Sequence, residues 1–188
     1  MSFDDGTAIL LAESAARAVE RDPAGFHAVL NDIPAAIYVA DMEGTITYFN
    51  DACVEAVGRQ PEAGVDKWCV SWKLYTPAGD PLPHDGCPMA VAIKERREVR
   101  GVEIVAERPD GSWARFIPYP TPIYDRTGQL SGAVNLLIDV AAQPRAEFFR
   151  KQAERCRDLS ISADDRQTAE MLALMAAKYH EQSRQGDD

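Results

Sequence analysis

The chain has 188 residues, which predicts one domain with extensions, and 46% of them are hydrophobic, enough for an ordinary packed core. Thirty Asp and Glu against 20 Lys and Arg give a net charge of -10, which disfavours attraction to phosphate backbones and sets nucleic acid aside as a partner. No run approaches the roughly 18 apolar residues of a membrane helix. The opening MSFDDGTAILL carries acids and no basic n-region of a signal peptide. Cys53, Cys69, Cys87 and Cys156 form no CxxC, which argues against a thioredoxin site, a zinc ribbon or a haem attachment site. The expectation is a cytoplasmic protein, off the membrane, with mostly reduced thiols.

In chain order, Ile9, Leu10, Ala12, Ala16 and Val19 recur at helical spacing, and Phe26, Val29, Leu30 and Ile33 predict a second short helix stopped by Pro34. AIYVAD and TITYFN alternate and meet at DMEG, which predicts a hairpin. Asn50 or Asp51 then caps a helix over DACVEAV, with Gly58 at its end. Residues 59–85 are loop-rich, and DGCPMAVAIKER reads as a helix capped by Asp85 with Pro88 in its first turn. Three strands follow, at 99–108, 113–125 and 130–140, joined by PDG and RTG turns as an antiparallel meander. Pro118, Pro120 and Pro122 remove N–H groups from one side of the middle strand, which places it near an edge late in its course. Two amphipathic stretches around SISADD predict a C-terminal helical hairpin. Its apolar faces carry Phe149, Ala153, Cys156 and Leu159, then Ala169, Leu172, Ala176 and Tyr179.

These elements make an α+β fold: a five-stranded antiparallel sheet with short helices on one face, an N-terminal helix and a C-terminal helical hairpin. The N-terminal helix is the expected cover for the other face, in cis or from a second subunit. The run IPAAIYVADMEGTITYFNDACVEAVG, with Asp41, Gly44, Ile46, Tyr48 and Asn50, resembles the opening of a PAS domain. ERPDGSWARFIPYPTPIYDRTGQLSGAVNLLIDV resembles the last two strands of that family. The resemblance covers about 26–141, leaving 1–25 as a helical extension and 142–188 as the hairpin. It implies a sensory or interaction module that holds haem, flavin or a metabolite in its cavity, or holds nothing and dimerises. The flavin-photochemical branch uses an NCRFLQ-like helix, and the DACVEA around Cys53 does not match it.

Candidate binding residues follow from that implied cavity. Trp68, Trp72 and Tyr75 cluster in KWCVSWKLY, where they stack on a ligand or fill the space themselves. Tyr38 and Tyr48 on the first two strands, Arg115 on the fourth and Asn135 inside an apolar last strand are the other candidates. His84, in DPLPHDGCPM, is a haem ligand, with Cys87 three residues on, or serves another metal or redox role, or is part of a stiff helix start in which Cys87 is a small buried hydrophobe. Nothing resembles HExxH, GxxxxGKS or GxGxxG, Ser71 and Ser131 have no nucleophile-elbow setting, and the acid pairs Asp4-Asp5, Asp164-Asp165 and Asp187-Asp188 sit in polar segments. No catalytic residue and no dedicated metal site is expected, and the cofactor stays open. The reading is a PAS-type signalling module: a homodimer that binds a small ligand or a partner and signals through its terminal helices to a separate protein. Its alternatives are a ligand-free interaction scaffold and a haem-based gas or redox sensor.

Overall fold

The structure is a computed structural model that describes residues 5–23, 25–33, 35–78, 80–140, 146–163 and 166–185. Asp4, Pro34, Asp164, Asp165, Asp187 and Asp188, and the side chains of Phe149 and Tyr179, lie outside the described residues. The chain forms two compact units.

The larger unit opens with α1 (Asp5–Arg21) and α2 (Phe26–Asp32), followed by β1 (Ala36–Asp41), β2 (Ile46–Phe49) and α3 (Asp51–Val57). It continues with β3 (Lys73–Tyr75), α4 (Pro88–Glu95), β4 (Ile104–Glu107), β5 (Trp113–Tyr124) and β6 (Leu130–Asp139). The strands form a six-stranded sheet in the order β2-β1-β6-β5-β4-β3, antiparallel at every pairing. This corrects the five-stranded expectation. The extra strand is KLY, paired through Lys73↔Glu107 and Tyr75↔Val105. Three residues among prolines and glycines show no alternation, so β3 owes its conformation to the β4 edge it pairs with. The 99–108 run contracts to Ile104–Glu107, because Arg100 is used elsewhere.

The three hairpins share one device. In each, a carboxylate closes the turn on the backbone: Asp41 accepts from Glu43 and Thr45, Asp110 from Ser112, and Asp125 from Thr127 and Gln129. Beyond Phe116, β5 has β6 on one side and no longer β4 on the other. Pro118, Pro120 and Pro122 fall there. The Pro120 carbonyl, pointing away from β6, accepts from the Arg100 guanidinium at 2.8 Å, so the missing N–H groups cost the β6 ladder nothing. The other strand edges are also occupied. Residues 64–68 run beside β2 through Ile46 N–H to Asp66 O at 2.9 Å and Gly64 N–H to Ile46 O at 2.8 Å, and Leu82 N–H reaches Leu74 O at 2.8 Å beside β3.

Helix α1 covers the outer face of the sheet in cis, against β5 and β6. Its buried stripe is Ala8, Leu11, Ala12, Ala15, Ala16 and Val19, small enough for close approach, while Leu10 points outward. Tyr119 donates to Asp5 Oδ1 at 2.7 Å, and the Tyr124 N–H to Glu20 Oε1 at 3.0 Å, which pins both ends of the helix. On the inner face, Cys53 and Val57 of α3 and Met89, Ala90 and Ile93 of α4 pack with Ile46, Ile104, Phe116 and Leu137 of the sheet. Asp85 does not cap α4. A single 3-10 turn at His84–Gly86 precedes it, Cys87 takes the cap position, and Pro88 opens the helix.

Asn50 is the cap of α3. Its Oδ1 accepts from Cys53 N at 3.0 Å and from Ile37 N at 3.0 Å, and its Nδ2 donates to Leu30 O at 3.1 Å and Ala35 O at 2.8 Å. The smaller unit pairs α5 (Ala146–Ser162) with α6 (Arg166–Gln185). Ala153, Cys156, Leu172, Met175 and Ala176 are buried in it, and the Ser160 hydroxyl donates to Ala169 O at 3.0 Å. Asn50→Ala removes four side-chain hydrogen bonds to the backbone, and of the groups released Cys53 N–H keeps a main-chain partner, Asn50 O. Unmade buried hydrogen bonds cost about 1–3 kcal/mol each, so urea titration is expected to show a loss of about 3 kcal/mol or more.

Candidate functional site

The inner face carries one buried polar cluster, built from β1, β6 and the segment before β3. Tyr38 and Asn135 are direct cross-strand partners, and both are about 1% exposed. The Asn135 amide donates to the Tyr38 hydroxyl at 2.9 Å, and that hydroxyl donates to Trp68 O at 3.3 Å. Burial, with the neighbouring Cys69 and Cys87 adding to it, holds the Tyr38 phenol well above its usual range, against the Asn135 hydrogen bond. Tyr38 is therefore a neutral donor at any physiological pH.

The cluster is incomplete. Asn135 Oδ1 is buried without a hydrogen-bond partner among the described residues. Turning the amide over only exchanges which of its atoms is left out. Leaving an amide oxygen unmet in an apolar interior costs about 1–3 kcal/mol, so its place on the inner face marks where an added donor is favoured.

Trp68 frames the cluster through its backbone. It is a non-glycine residue at φ 67, and Cys69 N–H bonds to Lys67 O at 2.7 Å across it, a tight three-residue turn. Such a conformation costs roughly 1–3 kcal/mol and persists only where surroundings impose it. They do so here. Trp68 N–H donates to Gly44 O at 2.6 Å, Arg59 Nε holds Val70 O at 2.8 Å and its guanidinium pairs with Asp66, and Lys94 Nζ lies 5.0 Å from the indole centre. Gly44, at φ +80, leaves room for the indole, since a Cβ there would lie 2.3 Å from Trp68 Cε3.

The remaining expected site residues are dispersed. A bulge between Val39 and Ala40 shifts the β1–β2 register, so Tyr48 pairs with Val39 and sits on the outer side. There it stacks on His27 at 4.8 Å and donates to Asn31 Oδ1 at 2.8 Å. Trp72 is 51% exposed, and Arg115 is exposed on the outer side, paired with Glu103. His84 is half-buried in the 3-10 turn. Among the described residues, no group of three or more His, Cys, Asp or Glu is arranged to hold a metal ion. The site therefore joins Tyr38, Asn135 and Trp68 and leaves out Tyr48, Trp72 and Arg115. Cys69 and Ser71, both buried beside Trp68, are the residues that sequence reasoning passed over; KWCVSW places them between aromatics, and no local pattern marks which residues turn inward.

An antiparallel sheet with short helices enclosing a buried polar cluster is the architecture of a small sensory domain. The PAS fold model matches residues 30–145, and the chain belongs to the PAS family. It is a PAS-type sensory and signalling module, of a family that is not catalytic. No curated protein matches the chain in sequence. Among solved structures it is similar to the Rhodobacter sphaeroides LOV protein, at 13% identity over 93% of this chain and 97% of that one with a TM-score of 0.48. It is also similar to the PAS domain of a Colwellia psychrerythraea protein (21%, 60% and 92%, TM-score 0.41). A third likeness is to the LOV domain of an Erythrobacter litoralis blue-light activated histidine kinase (20%, 58% and 98%, TM-score 0.45). All three scores lie below 0.5, and membership rests on the family match.

Gly44→Ala is expected to displace the Trp68 indole and lower stability by about 2 kcal/mol. Thermal unfolding measures the loss, and a red-shifted tryptophan emission that is absent in Trp68→Phe assigns it to this ring.

Proposed function

We propose that the domain senses a small, largely apolar molecule with one hydrogen-bond donor, held on the inner face of the sheet against Asn135. The observation that carries this reading is the buried, unpartnered Asn135 Oδ1 beside a Tyr38 hydroxyl that burial keeps protonated. A ligand that meets Oδ1 prefers the arrangement of β1 and β6 in which Tyr38 and Asn135 stay paired, and so shifts the population toward it. Asn135 is four residues from the end of β6 at Asp139, and the chain resumes as a helix at Ala146. A change in β6 thus passes along the chain into α5 and α6. Leu174 is 56% exposed on α6 and offers apolar surface to a separate signalling protein. The module acts in the cytoplasm as a homodimer. No described helix is long and apolar enough to cross a membrane.

The scaffold reading is favoured by the apolar packing of Met89, Phe116 and Leu137 across the same face. One experiment separates the two. Native mass spectrometry of freshly purified protein, with an absorption spectrum of the same sample, is expected to show a dimer carrying an added mass, which Asn135→Leu removes. A bare protein that Asn135→Leu stabilises, because an unmet polar group has been replaced by a methyl-bearing one, supports the scaffold instead. A monomer at micromolar concentration overturns the dimer.

A further inference from the structure

Three cysteines, Cys53, Cys69 and Cys87, lie in the inner core, and no disulfide joins them. They are not equivalent. Cys53 has mainly apolar surroundings, and burial pushes its thiol above the usual range. Cys69 and Cys87 are 3% and 1% exposed in the same core cluster, and each is the largest influence on how the other ionises. Cys87 Sγ also lies 3.6 Å from Trp68 O, the carbonyl of the peptide bond that leads into Cys69. The chain thus lays α4's first turn directly against the 68–69 peptide.

A second observation singles out the Cys69 sulfur. The Ser71 hydroxyl, two residues on, is 2% exposed and has no hydrogen-bond partner among the described residues. The Cys87 thiol lowers the Cys69 pKa most, burial opposes it, and the Ser71 N–H, the charge of His84 and the Ser71 hydroxyl help, bringing it to about 6. The neighbouring Cys69 and burial push Cys87 up. Cys69 is thus the sulfur placed to be oxidised first, and Cys87 resolves it as it gives up its own proton.

We propose that Cys69 and Cys87 are an oxidisable pair, which a hydroperoxide converts into an intramolecular disulfide between the segment before β3 and the start of α4. The Cys69 thiolate attacks the distal peroxide oxygen. The O–O bond breaks, and the leaving oxygen takes a proton to depart as water or alcohol. Cys69 is then a sulfenic acid. The Cys87 sulfur attacks the Cys69 sulfur and displaces hydroxide, which leaves as water with the Cys87 proton. In sum, two thiols lose two electrons and the peroxide gains them. Cys69 is 3% exposed, which admits a molecule the size of hydrogen peroxide on small fluctuations and excludes bulky disulfides.

The test uses the full chain, reduced and then treated with hydrogen peroxide under native conditions. Intact mass is expected to fall by two hydrogen atoms, and peptide mapping to place the bridge at Cys69–Cys87, reversibly with dithiothreitol. Cys87→Ser, which keeps a hydroxyl donor in place of the thiol, is expected to gain one oxygen instead, captured by dimedone at Cys69, while Cys53→Ala still forms the bridge. Should a core variant fail to fold, differential alkylation of the wild-type chain decides by itself. Thiols that survive peroxide in the folded protein but are lost in urea overturn the proposal, as does a bridge that maps to Cys53 or Cys156.

Discussion

Asn50 holds the larger unit together at the point where three elements change direction. One side chain terminates α2 through Leu30 O, fixes the approach to β1 through Ala35 O and Ile37 N, and starts α3 through Cys53 N. These backbone groups belong to element ends, and of the four Cys53 N–H also reaches a main-chain oxygen, Asn50 O at 3.0 Å. Met by one buried amide, they cost nothing; left unmet, they would set the angle of β1 free. Because β1 lies between β2 and β6, the position of Tyr38 against Asn135 depends on that anchoring.

The inner face departs from a purely apolar core in a concentrated way. A strained tryptophan backbone, an amide with an open oxygen and a buried, unpartnered serine hydroxyl all occur within or beside one short segment, 66–72. Arg59, Gly44 and Lys94 hold that segment from three directions. Local penalties of this kind are retained where a site must be shaped before its ligand arrives.

Much of this fold is legible in the sequence because its signals are local. The Asp and Gly of each turn, the helix around Cys53 with Asn50 before it, and the apolar run of the last strand all act within a few residues of themselves. What is not legible depends on distant partners. Lys73–Tyr75 is a strand only because β4 offers it an edge. Tyr48 leaves the inner face because one bulge in β1–β2 reverses the side of every residue past it, a shift that alternation alone does not reveal. Asp85 has the right chemistry for a cap, yet the 3-10 turn moves the helix start beyond its reach. Of the candidate site, Asn135 and Tyr38 are visible as polar residues in apolar strands; the Trp68 carbonyl that accepts from Tyr38 is a backbone group and carries no side-chain signal.

The covered edges of the sheet bear on how such a module is recognised. A protein that reads its target by adding a strand needs a row of unpaired main-chain groups. Here the segment 64–68 occupies the β2 side, Leu82 closes on β3, and prolines with Arg100 blunt the late part of β5. Recognition by strand addition is therefore blocked along those stretches. Along those stretches main chain is not available for contact, and any surface they present is one of side chains.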